Sequence, residues 1–330
     1  MTASPPRNPV VVLTGPTASG KTSLAIALAN RFDGEIVNAD SMQVYRGLDI
    51  GTAKPTIEER AAVPHHLIDV VAPDQTFSAG RYARAARAAI AGIQERGHRP
   101  FLVGGTGLYI RAVLHGLIDG VEAEPELREQ LETEAAEAAA AGDPGRLHRR
   151  LADQDPDAAA RIHPNDTRRV VRALEIATET GRGASQVRGD HGFDDSPYDT
   201  LHLALDWERE ALYERIDRRC EAMIEQGLLR ELRGLAKAGY GPELRSMKAI
   251  GYRHVWPVVR GEDTLASALV TLQRDTRHFA RRQLTWLRKV PDVVWVDPRD
   301  PEAIAARVAA FFEGEAQPPV EASAGPSGRV

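Results

Sequence analysis

Residues 15–22 are the stretch whose types and spacing most directly predict chemistry. They read Gly-Pro-Thr-Ala-Ser-Gly-Lys-Thr, the pattern G-x-x-x-x-G-K-T of a phosphate-binding loop. Glycines let backbone N–H groups converge on an anion, and the positive end of a following helix adds to the attraction. Lys21 would supply a charge to the terminal phosphate, and the Thr22 hydroxyl is placed to bind Mg²⁺. We therefore expect a di- or triphosphate to contact Gly15, Pro16, Thr17, Ala18, Ser19, Gly20, Lys21 and Thr22.

The elements around this stretch are those that a phosphate-binding loop requires. An apolar run at residues 10–13 predicts a strand before it, and residues 23–29 predict a helix after it. A glycine-rich turn without a ligand is the alternative. The four fixed positions of the motif, with both flanks in place, disfavour that alternative.

Two further segments bring polar groups to the same edge of the predicted sheet. Residues 35–38 predict a second strand, and Asp40 comes directly after it. Residues 101–103 predict another buried strand, which the glycine-rich segment 104–107 follows with the hydroxyl of Thr106. In a parallel sheet the carboxyl ends of the strands form the ligand crevice. The polar segment 42–55 after Asp40 lacks periodicity and is typical of a functional loop.

Composition describes an ordinary globular chain. It has 330 residues, of which 42% are hydrophobic and 27% charged, and no apolar run approaches the roughly 20 residues of a membrane span. Residues 1–9 lack the apolar segment of a signal peptide, and the single cysteine, Cys220, excludes an internal disulfide. We expect a cytoplasmic, monomeric protein without membrane association.

Charge is distributed unevenly. The net charge is −5, which taken alone argues against a nucleic-acid partner. Residues 122–137 carry seven glutamates against one arginine, whereas residues 274–289 carry six Lys/Arg against one acid. A basic face can therefore exist despite the net negative charge.

The order of predicted elements indicates an α/β fold of the P-loop NTPase type, a parallel sheet flanked by helices, with an all-helical insertion. Strand patterns recur at 64–71, 201–205 and 293–296, and helix patterns at 79–96, 208–226 and 264–289. Four helices are predicted between 126 and 180, followed by a loop at 181–199. The predicted domains are thus a first core segment 1–118, an insertion 119–199, a second core segment 200–314 with the basic helix, and a disordered tail 315–330. His65 and His66 could indicate a metal site, but no third ligand follows at a spacing typical of one. They are therefore interpreted as the start of a strand.

The residues alone leave the reaction open between NTP hydrolysis, phosphoryl transfer and the use of a diphosphate as leaving group. Hydrolases and kinases of this type place an Asp for Mg²⁺ after a buried strand. The strand at 101–103 lacks it, and Asp40 is the strongest carboxylate candidate.

Six motifs resemble one family in the family's own order. They are residues 15–22, the segment 40–55 (Asp-Ser-Met-Gln-Val-Tyr-Arg-Gly-Leu-Asp-Ile-Gly-Thr-Ala-Lys-Pro), and the segments 103–109, 161–166, 250–253 and 282–288. The chain resembles the tRNA dimethylallyltransferases, or tRNA isopentenyltransferases, over about residues 10–290. The first two motifs are long and specific.

The resemblance implies transfer of a dimethylallyl group from its diphosphate to the exocyclic N6 of the adenosine 3′ of the anticodon, in tRNAs reading codons that start with U. It implies Mg²⁺ at Thr22, and a phosphate loop that holds a diphosphate leaving group. Asp40 matches the family's catalytic aspartate. Arg215 matches an arginine that the family has on the helix predicted at 208–226, and Thr106 matches a residue close to the reacting centre. An adenine amine is a weak nucleophile, so a base at N6 would assist the reaction.

The resemblance also implies a tRNA surface. The target base must leave the anticodon-loop stack, and Asp40, Ser41, Met42, Gln43 and Thr106 match the segments that receive it. Further tRNA contacts are expected at Arg128, Arg168, Arg169, Arg172, Lys248, Gly251, Tyr252, Arg253, Arg281, Arg282, Gln283, Trp286 and Arg288.

Three alternatives remain beside this interpretation. An isopentenyltransferase acting on free adenine nucleotide would need neither the helical insertion nor the basic helix. A small-molecule P-loop kinase would transfer phosphate from ATP and would not turn over dimethylallyl diphosphate. A non-catalytic RNA-binding protein is disfavoured by the intact loop and Asp40.

Overall fold

The protein is built on a six-stranded parallel sheet. The computed structural model describes residues 7–116, 125–190 and 196–315. The strands are β1 (Val10–Thr14), β2 (Gly34–Asn38), β3 (His65–His66), β4 (Arg99–Val103), β5 (Thr200–Leu205) and β6 (Val294–Val296), in the order β3-β2-β4-β1-β5-β6. The predicted α/β class with a parallel sheet is confirmed.

Helices cover the sheet and form the insertion. They are α1 (Lys21–Arg31), α2 (Ile57–Ala62), α3 (Ala79–Glu95), α4 (Gly107–His115), α5 (Pro125–Ala140), α6 (Arg146–Gln154), α7 (Pro156–Arg161), α8 (Thr167–Thr180), α9 (Ala184–Asp190), α10 (Arg209–Gln226), α11 (Leu228–Lys237), α12 (Tyr252–Val259), α13 (Leu265–Leu287) and α14 (Pro301–Glu313). A short 3₁₀ turn lies at Ser246–Lys248. The side chains of Ser78, Asp166 and Thr264 each accept a backbone N–H in the first turn of the helix that follows, as expected of N-caps.

Strand register brings the functional segments to one edge. Leu13 of β1 pairs with Val103 of β4, and Val103 pairs in turn with Asn38 of β2. All three strands are parallel, so the loops that follow them leave the sheet side by side. The phosphate-loop motif, Asp40 and Thr106 therefore come from adjacent strand ends, as the sequence predicts.

The chain divides into two compact units, residues 1–114 with 197–330 and residues 115–196. In the first unit, apolar residues of the central strands pack with α1 and α14 in a core that includes Leu13, Leu28, Phe101, Leu203 and Val308. The second unit has a separate core, which includes Leu131, Leu151, Val171 and Leu174 from its helices. Within its described residues, 115–116 and 125–190, this unit contains no strand.

Two predicted elements are wrong. The strand expected at 64–71 is only His65–His66, because Leu67 and Asp69 have positive φ angles of 63° and 58°. The loop expected at 181–199 contains helix α9, whose first turn is held by Asp155: Ser185 donates its backbone N–H (2.7 Å) and its hydroxyl (2.5 Å) to that carboxylate.

Five described helices, α2, α4, α11, α12 and α14, lie in segments for which the sequence patterns predict no element. The expected tail lies, apart from residue 315, outside the described residues. In the ranges that are described, no helix is both long and apolar enough to span a bilayer.

Candidate active site

The phosphate-loop motif connects a fully buried strand to the start of a long helix. Residues of β1 are buried along its whole length, and Gly20 precedes α1 with φ of +91°, a conformation that favours glycine. No side chain caps the N-terminus of α1. The first N–H groups of the helix are thus available to an anion, and the helix dipole points its positive end at the same place.

Lys21 begins α1 and folds back over the loop. Its Nζ donates to the carbonyl oxygens of Gly15 (3.0 Å) and Pro16 (2.7 Å). Burial, with a smaller contribution from the Arg219 cation, lowers the pKa of Lys21 from 10.5 to about 7, against the opposing effect of the Asp40 carboxylate. The site carries more positive charge than its own carboxylate balances, which is the electrostatic condition for binding a polyanion.

Helix α10 supports the loop from one side. Arg215 donates its Nε to the carbonyl oxygen of Ala18 (2.9 Å), and its guanidinium lies 4.3 Å from the centre of the Trp207 ring. The Trp207 indole N–H in turn donates to Ser19 O (2.9 Å). Arg219 lies one turn further along α10 and lines the same cleft. Burial lowers the pKa of Arg219, and the Asp40 carboxylate acts against this effect.

Helix α13 holds the loop from another side through Gln283. This side chain is 8% exposed, accepts the backbone N–H of Thr17 (2.8 Å) and donates to Gly105 O (3.2 Å). It therefore joins the loops that follow β1 and β4. A Cβ at Gly105 would collide with the Gln283 amide, so this close approach requires glycine.

Asp40 lies at the end of β2 with one carboxylate oxygen in use. Its Oδ1 accepts the N–H groups of Met42 (2.8 Å) and Gln43 (3.4 Å), which fixes the side chain. No group in the described ranges donates a hydrogen bond to Oδ2, and this oxygen is not buried. One oxygen of Asp40 is thus held and the other is open to a ligand.

Thr106 joins the ends of β2 and β4. Its Oγ1 accepts the N–H of Ser41 (3.0 Å) and donates to Ser41 Oγ (3.3 Å), while its own N–H donates to Ala39 O (3.1 Å). These contacts place Thr106 beside the segment that follows Asp40.

A cleft of about 480 Å³ is lined by the phosphate loop, the end of β2 and helix α10. The charged side chains in its lining are Lys21, Asp40, Glu59, Arg215, Arg218 and Arg219. Other lining residues are Thr17, Ala18, Ser19, Gly20, Thr22, Gln43, His65 and Gln283, and the apolar ones include Ala25, Ile36, Ala53, Val103 and Phe279. Such a cleft suits a ligand that has a strongly anionic end and a small apolar group.

The polar loop after Asp40 is held by two charged side chains, the buried Lys54 and the half-buried Glu231. The ammonium of Lys54 binds Tyr45 O (2.9 Å) and the carboxylates of Asp49 and Asp69 (2.6 Å each). Glu231, on α11, accepts three consecutive N–H groups, from residues 49, 50 and 51 (3.2, 2.8 and 3.2 Å), and the hydroxyl of Tyr252 (2.6 Å). The sequence analysis missed Glu231, because no local pattern links it to a loop some 180 residues earlier. It also left Arg219 out of the site, although the spacing of four from Arg215 was a usable signal.

The expected tRNA-contacting residues of the first unit fall into two groups. Those with exposed side chains are Lys248, Arg253, Arg281, Arg282 and Arg288, of which Arg253 forms an ion pair with Asp275 (2.7 Å). Of the others, Gly251 and Gln283 are buried, Tyr252 is 0% exposed, and Trp286 is half-buried against Gly107. The hydroxyl of Tyr252 donates to Glu231, so in this structure its side chain contacts the protein interior.

In the helical unit, two of the expected tRNA-contacting arginines share a buried carboxylate. Arg128 (2.7 Å) and Arg172 (3.1 Å) both donate to Oε2 of Glu175, whose side chain is 0% exposed. Arg168 and Arg169 are exposed on α8. The four residues are therefore in different environments, which the sequence alone does not distinguish.

Metal binding by protein side chains alone finds no support in the parts of the chain that are described. No group of three or more His, Cys, Asp or Glu side chains could hold an ion there. His65 pairs with Val63 O (2.7 Å) and His66 with Glu35 (2.6 Å), and the two histidines form strand β3, as the strand expected there begins. The Thr22 hydroxyl lines the cleft and has no protein partner among the described residues.

The fold and the site define a P-loop protein whose cationic cleft, beside a carboxylate, suits an anionic, phosphate-bearing ligand. The family model described as IPP transferase matches residues 43–290. The chain belongs to the IPP transferase family.

Individual relatives agree with this assignment. The chain is 51% identical over 304 residues to tRNA dimethylallyltransferase 2 of Geotalea uraniireducens, covering 92% of this chain and 97% of the relative. It is 47% identical over 309 residues to the tRNA dimethylallyltransferase of Desulfatibacillum aliphaticivorans, covering 94% and 100%.

Solved structures give the same result. The tRNA isopentenylpyrophosphate transferase of Bacillus halodurans is 41% identical, with a TM-score of 0.68 and coverage of 93% of this chain and 97% of that one. A eukaryotic dimethylallyltransferase acting on tRNA is 29% identical, with a TM-score of 0.83 and coverage of 94% and 81%.

Proposed function

We propose that this protein transfers a dimethylallyl group from dimethylallyl diphosphate to the exocyclic N6 of the adenosine 3′ of the anticodon, in tRNAs that read codons starting with U. The observation that carries the proposal is the open carboxylate oxygen of Asp40 in the same cleft as the phosphate loop. An amine that is alkylated must lose a proton, and a carboxylate beside it can accept that proton. The names of the relatives support the same reaction on the same class of RNA.

The cationic side of the cleft suits the diphosphate as a leaving group. The open N–H groups at the start of α1, together with Lys21, Arg215 and Arg219, concentrate positive charge there. Negative charge grows on the diphosphate as the carbon–oxygen bond breaks, so fixed cations stabilise the transition state more than the ground state. The apolar lining residues, among them Ile36, Val103 and Phe279, suit the five-carbon chain.

The step balances with groups that line the cleft. The C1–O bond of the donor breaks and its electron pair leaves with the diphosphate. The lone pair of N6 forms the new bond to C1, and the N6 proton passes to the Asp40 carboxylate. Asp40 is oriented for this role by Met42 N and Gln43 N.

Mg²⁺ is part of the proposal. The Thr22 hydroxyl, at the start of α1 and without a protein partner in the described residues, fits one position of an oxygen-coordinated ion. When bound, the ion would neutralise part of the diphosphate charge. The remaining ligands would come from the diphosphate and water, which agrees with the lack of a carboxylate cluster in the described ranges.

The test is incubation of the protein with unmodified tRNA and dimethylallyl diphosphate labelled in the allyl group, with and without EDTA. We expect label in the tRNA, at the adenosine 3′ of the anticodon, and loss of transfer on chelation. Parallel reactions contain free adenosine monophosphate, or ATP labelled at the γ-phosphate with no allyl donor. Label in the free nucleotide but not in tRNA, or phosphate transfer from ATP, would contradict the proposal in favour of the corresponding alternative.

A further inference from the structure

Phe279 brings an aromatic ring to a cleft whose lining is otherwise charged, polar or aliphatic. Among the described residues it is the only phenyl, phenol or indole side chain that lines the cleft, and it is half-buried. Ile36 and Val103, which line the same cleft, are aliphatic. The ring therefore has an electrostatic property, the negative potential of its face, that the other apolar lining residues lack.

Helix α13 fixes the position of this ring relative to the phosphate loop. Phe279 lies one turn before Gln283, and residues four apart share one face of a helix. Gln283 accepts the N–H of Thr17 and donates to Gly105 O, so the helix is held against the loops that follow β1 and β4. Ala280, beside the ring, is fully buried. The ring is thus carried by an anchored element, which lowers the cost of ordering it when a ligand binds.

The proposed reaction places opposite charges on the two ends of the donor. Negative charge grows on the diphosphate, and positive charge grows on the allylic carbon as its bond to oxygen weakens. The arginines of the cleft suit the diphosphate, but they oppose a positive charge on carbon. These arginines are Arg215, Arg218 and Arg219.

The carboxylates that line the described cleft are already assigned to other contacts. Asp40 receives the N6 proton in the proposed reaction, and Glu59 caps α2 by accepting the N–H of Thr56 (2.8 Å). The face of the Phe279 ring is then the remaining group of the lining that favours a positive charge on carbon.

We propose that the face of the Phe279 ring contacts the allyl group and stabilises the positive charge that develops on it in the transition state. An aromatic face attracts a cation within about 6 Å of the ring centre. The Arg282 guanidinium lies 5.8 Å from the centre of this ring, so the ring is already within range of a cation. Arg282 is exposed, and its hydration weakens that contact; a carbon cation inside the cleft is less hydrated and gains more. Phe279 is therefore a catalytic residue in addition to an apolar contact, and the inference rests on the proposed function.

The test changes the electrostatic potential of the ring while its shape stays nearly constant. Phenylalanines with one, two and three ring fluorines, which progressively weaken the negative potential of the face, are incorporated at position 279. Incorporation at Phe311, which packs against the core beside α14, is the matched control. Single-turnover transfer from labelled dimethylallyl diphosphate to tRNA gives the rate of the chemical step. Titration with an unreactive diphosphate analogue of the donor gives the affinity.

The rate should depend on the ring at position 279, and the affinity should not. We expect transfer to slow with each added fluorine, to roughly a tenth of the parental rate with three, on the scale of a partly desolvated cation–π contact. The analogue carries no positive charge on carbon, so its affinity should stay the same. Phe279→Leu, which keeps an apolar contact without a ring, should slow transfer by a similar factor. The series at Phe311 should leave the rate unchanged.

Two results would overturn the inference. One is a constant rate across the fluorinated series at position 279, which would leave Phe279 as an apolar contact only. The other is an equal loss of rate at positions 279 and 311. If the parent transfers the allyl group to tRNA and the series is flat, this inference fails alone. If the parent transfers nothing to tRNA, the proposed function fails and this inference fails with it.

Discussion

At the scale of single residues, the site depends on two charged groups that the fold holds in unusual conditions. Asp40 is fixed through one oxygen and open at the other. Lys21 lies near a second cation, Arg219, and its pKa is lowered to about 7 by partial desolvation and by that cation. Each group would gain a favourable interaction only when a ligand binds, and each leads to a measurable prediction.

Replacing Asp40 tests its role as the base. Asp40→Asn keeps an oxygen for Met42 N but cannot accept a proton, so we expect single-turnover transfer to fall by about 10² or more. Binding of tRNA and of a diphosphate analogue should stay close to that of the parent. Asp74→Asn, at an exposed position, is the control. Near-parental transfer by Asp40→Asn would exclude the role.

Lys21 should take up a proton when diphosphate binds. Its pKa of about 7 in the folded protein lies below the usual 10.5, so it is largely neutral at pH 8. A bound polyanion favours the ammonium, and affinity should therefore fall as pH rises above 7. Between pH 7 and 10.5 the unfolded chain holds this proton and the folded, unliganded protein does not. The free energy of unfolding therefore rises as pH rises from about 7 towards 10.5. Calorimetry at pH 8 in buffers of different ionisation enthalpy should show uptake of close to one proton.

The control for this prediction is Lys21→Arg, whose guanidinium stays protonated at this pH. It should bind the diphosphate without the additional proton uptake. Equal uptake by the parent and by Lys21→Arg would assign the proton to another group.

At the scale of elements, helix α13 connects the phosphate loop to an exposed basic surface. Gln283 ties it to the loops after β1 and β4, while Arg281 and Arg282 on the same helix are exposed. Arg274 and Arg277 are engaged by Asp275 and Asp217. Arg281 and Arg282 form no ion pair with any residue that the structure describes, so they are better candidates for phosphate contacts than Arg274 and Arg277.

The double variant Arg281→Ala, Arg282→Ala should bind tRNA more weakly. Each lost phosphate contact should also flatten the dependence of log affinity on log salt by roughly 0.7 to 0.9. The diphosphate affinity should not change. Filter-binding titrations at several salt concentrations measure both quantities for tRNA.

A matched control removes the same charge elsewhere. Arg31 ends α1 and Arg99 begins β4, at the amino edge of the sheet, so Arg31→Ala, Arg99→Ala changes the net charge equally. We expect little change in salt slope for this control. Parental affinity and slope in the α13 variant would exclude this helix as the tRNA surface.

At the scale of the whole molecule, the helical unit has a buried carboxylate within its own core. Glu175 accepts from two arginines on one oxygen, and its other oxygen has no hydrogen-bond partner among the described residues. This arrangement gives Arg128 and Arg172 a structural role, since a buried charge without partners is costly.

Arg128→Met should therefore lower the stability of the helical unit. We expect a loss of about 1 kcal/mol, less than is usual for a hydrogen bond to a charged group, because the Arg128 side chain is 40% exposed and solvent screens the interaction. Thermal unfolding measures it. In a Glu175→Gln background the same change should cost less. An unchanged midpoint together with a flattened salt slope for tRNA binding would instead make Arg128 a tRNA contact.

Several features were determined by sequence alone because they rest on local interactions. The phosphate-loop pattern fixes where backbone N–H groups converge, and capping side chains such as Asp166 and Thr264 fix where helices begin. The alternation of strands and helices predicts a parallel sheet, which places Asp40 and Thr106 at the edge of the phosphate loop. These properties follow from neighbours in the chain and from the geometry of parallel strands.

Other features were decided only by the tertiary structure, because they depend on distances between residues far apart in sequence. Glu231 accepts N–H groups of a loop some 180 residues earlier in the sequence. Gln283 accepts the N–H of Thr17, which lies 266 residues earlier. Left-handed backbone at Leu67 and Asp69 ends the expected strand after two residues. The lowered pKa of Lys21 arises from burial and from the position of Arg219, neither of which a linear pattern contains. Burial and long-range hydrogen bonds, more than residue type, decide which of the sequence's polar groups remain open to a ligand.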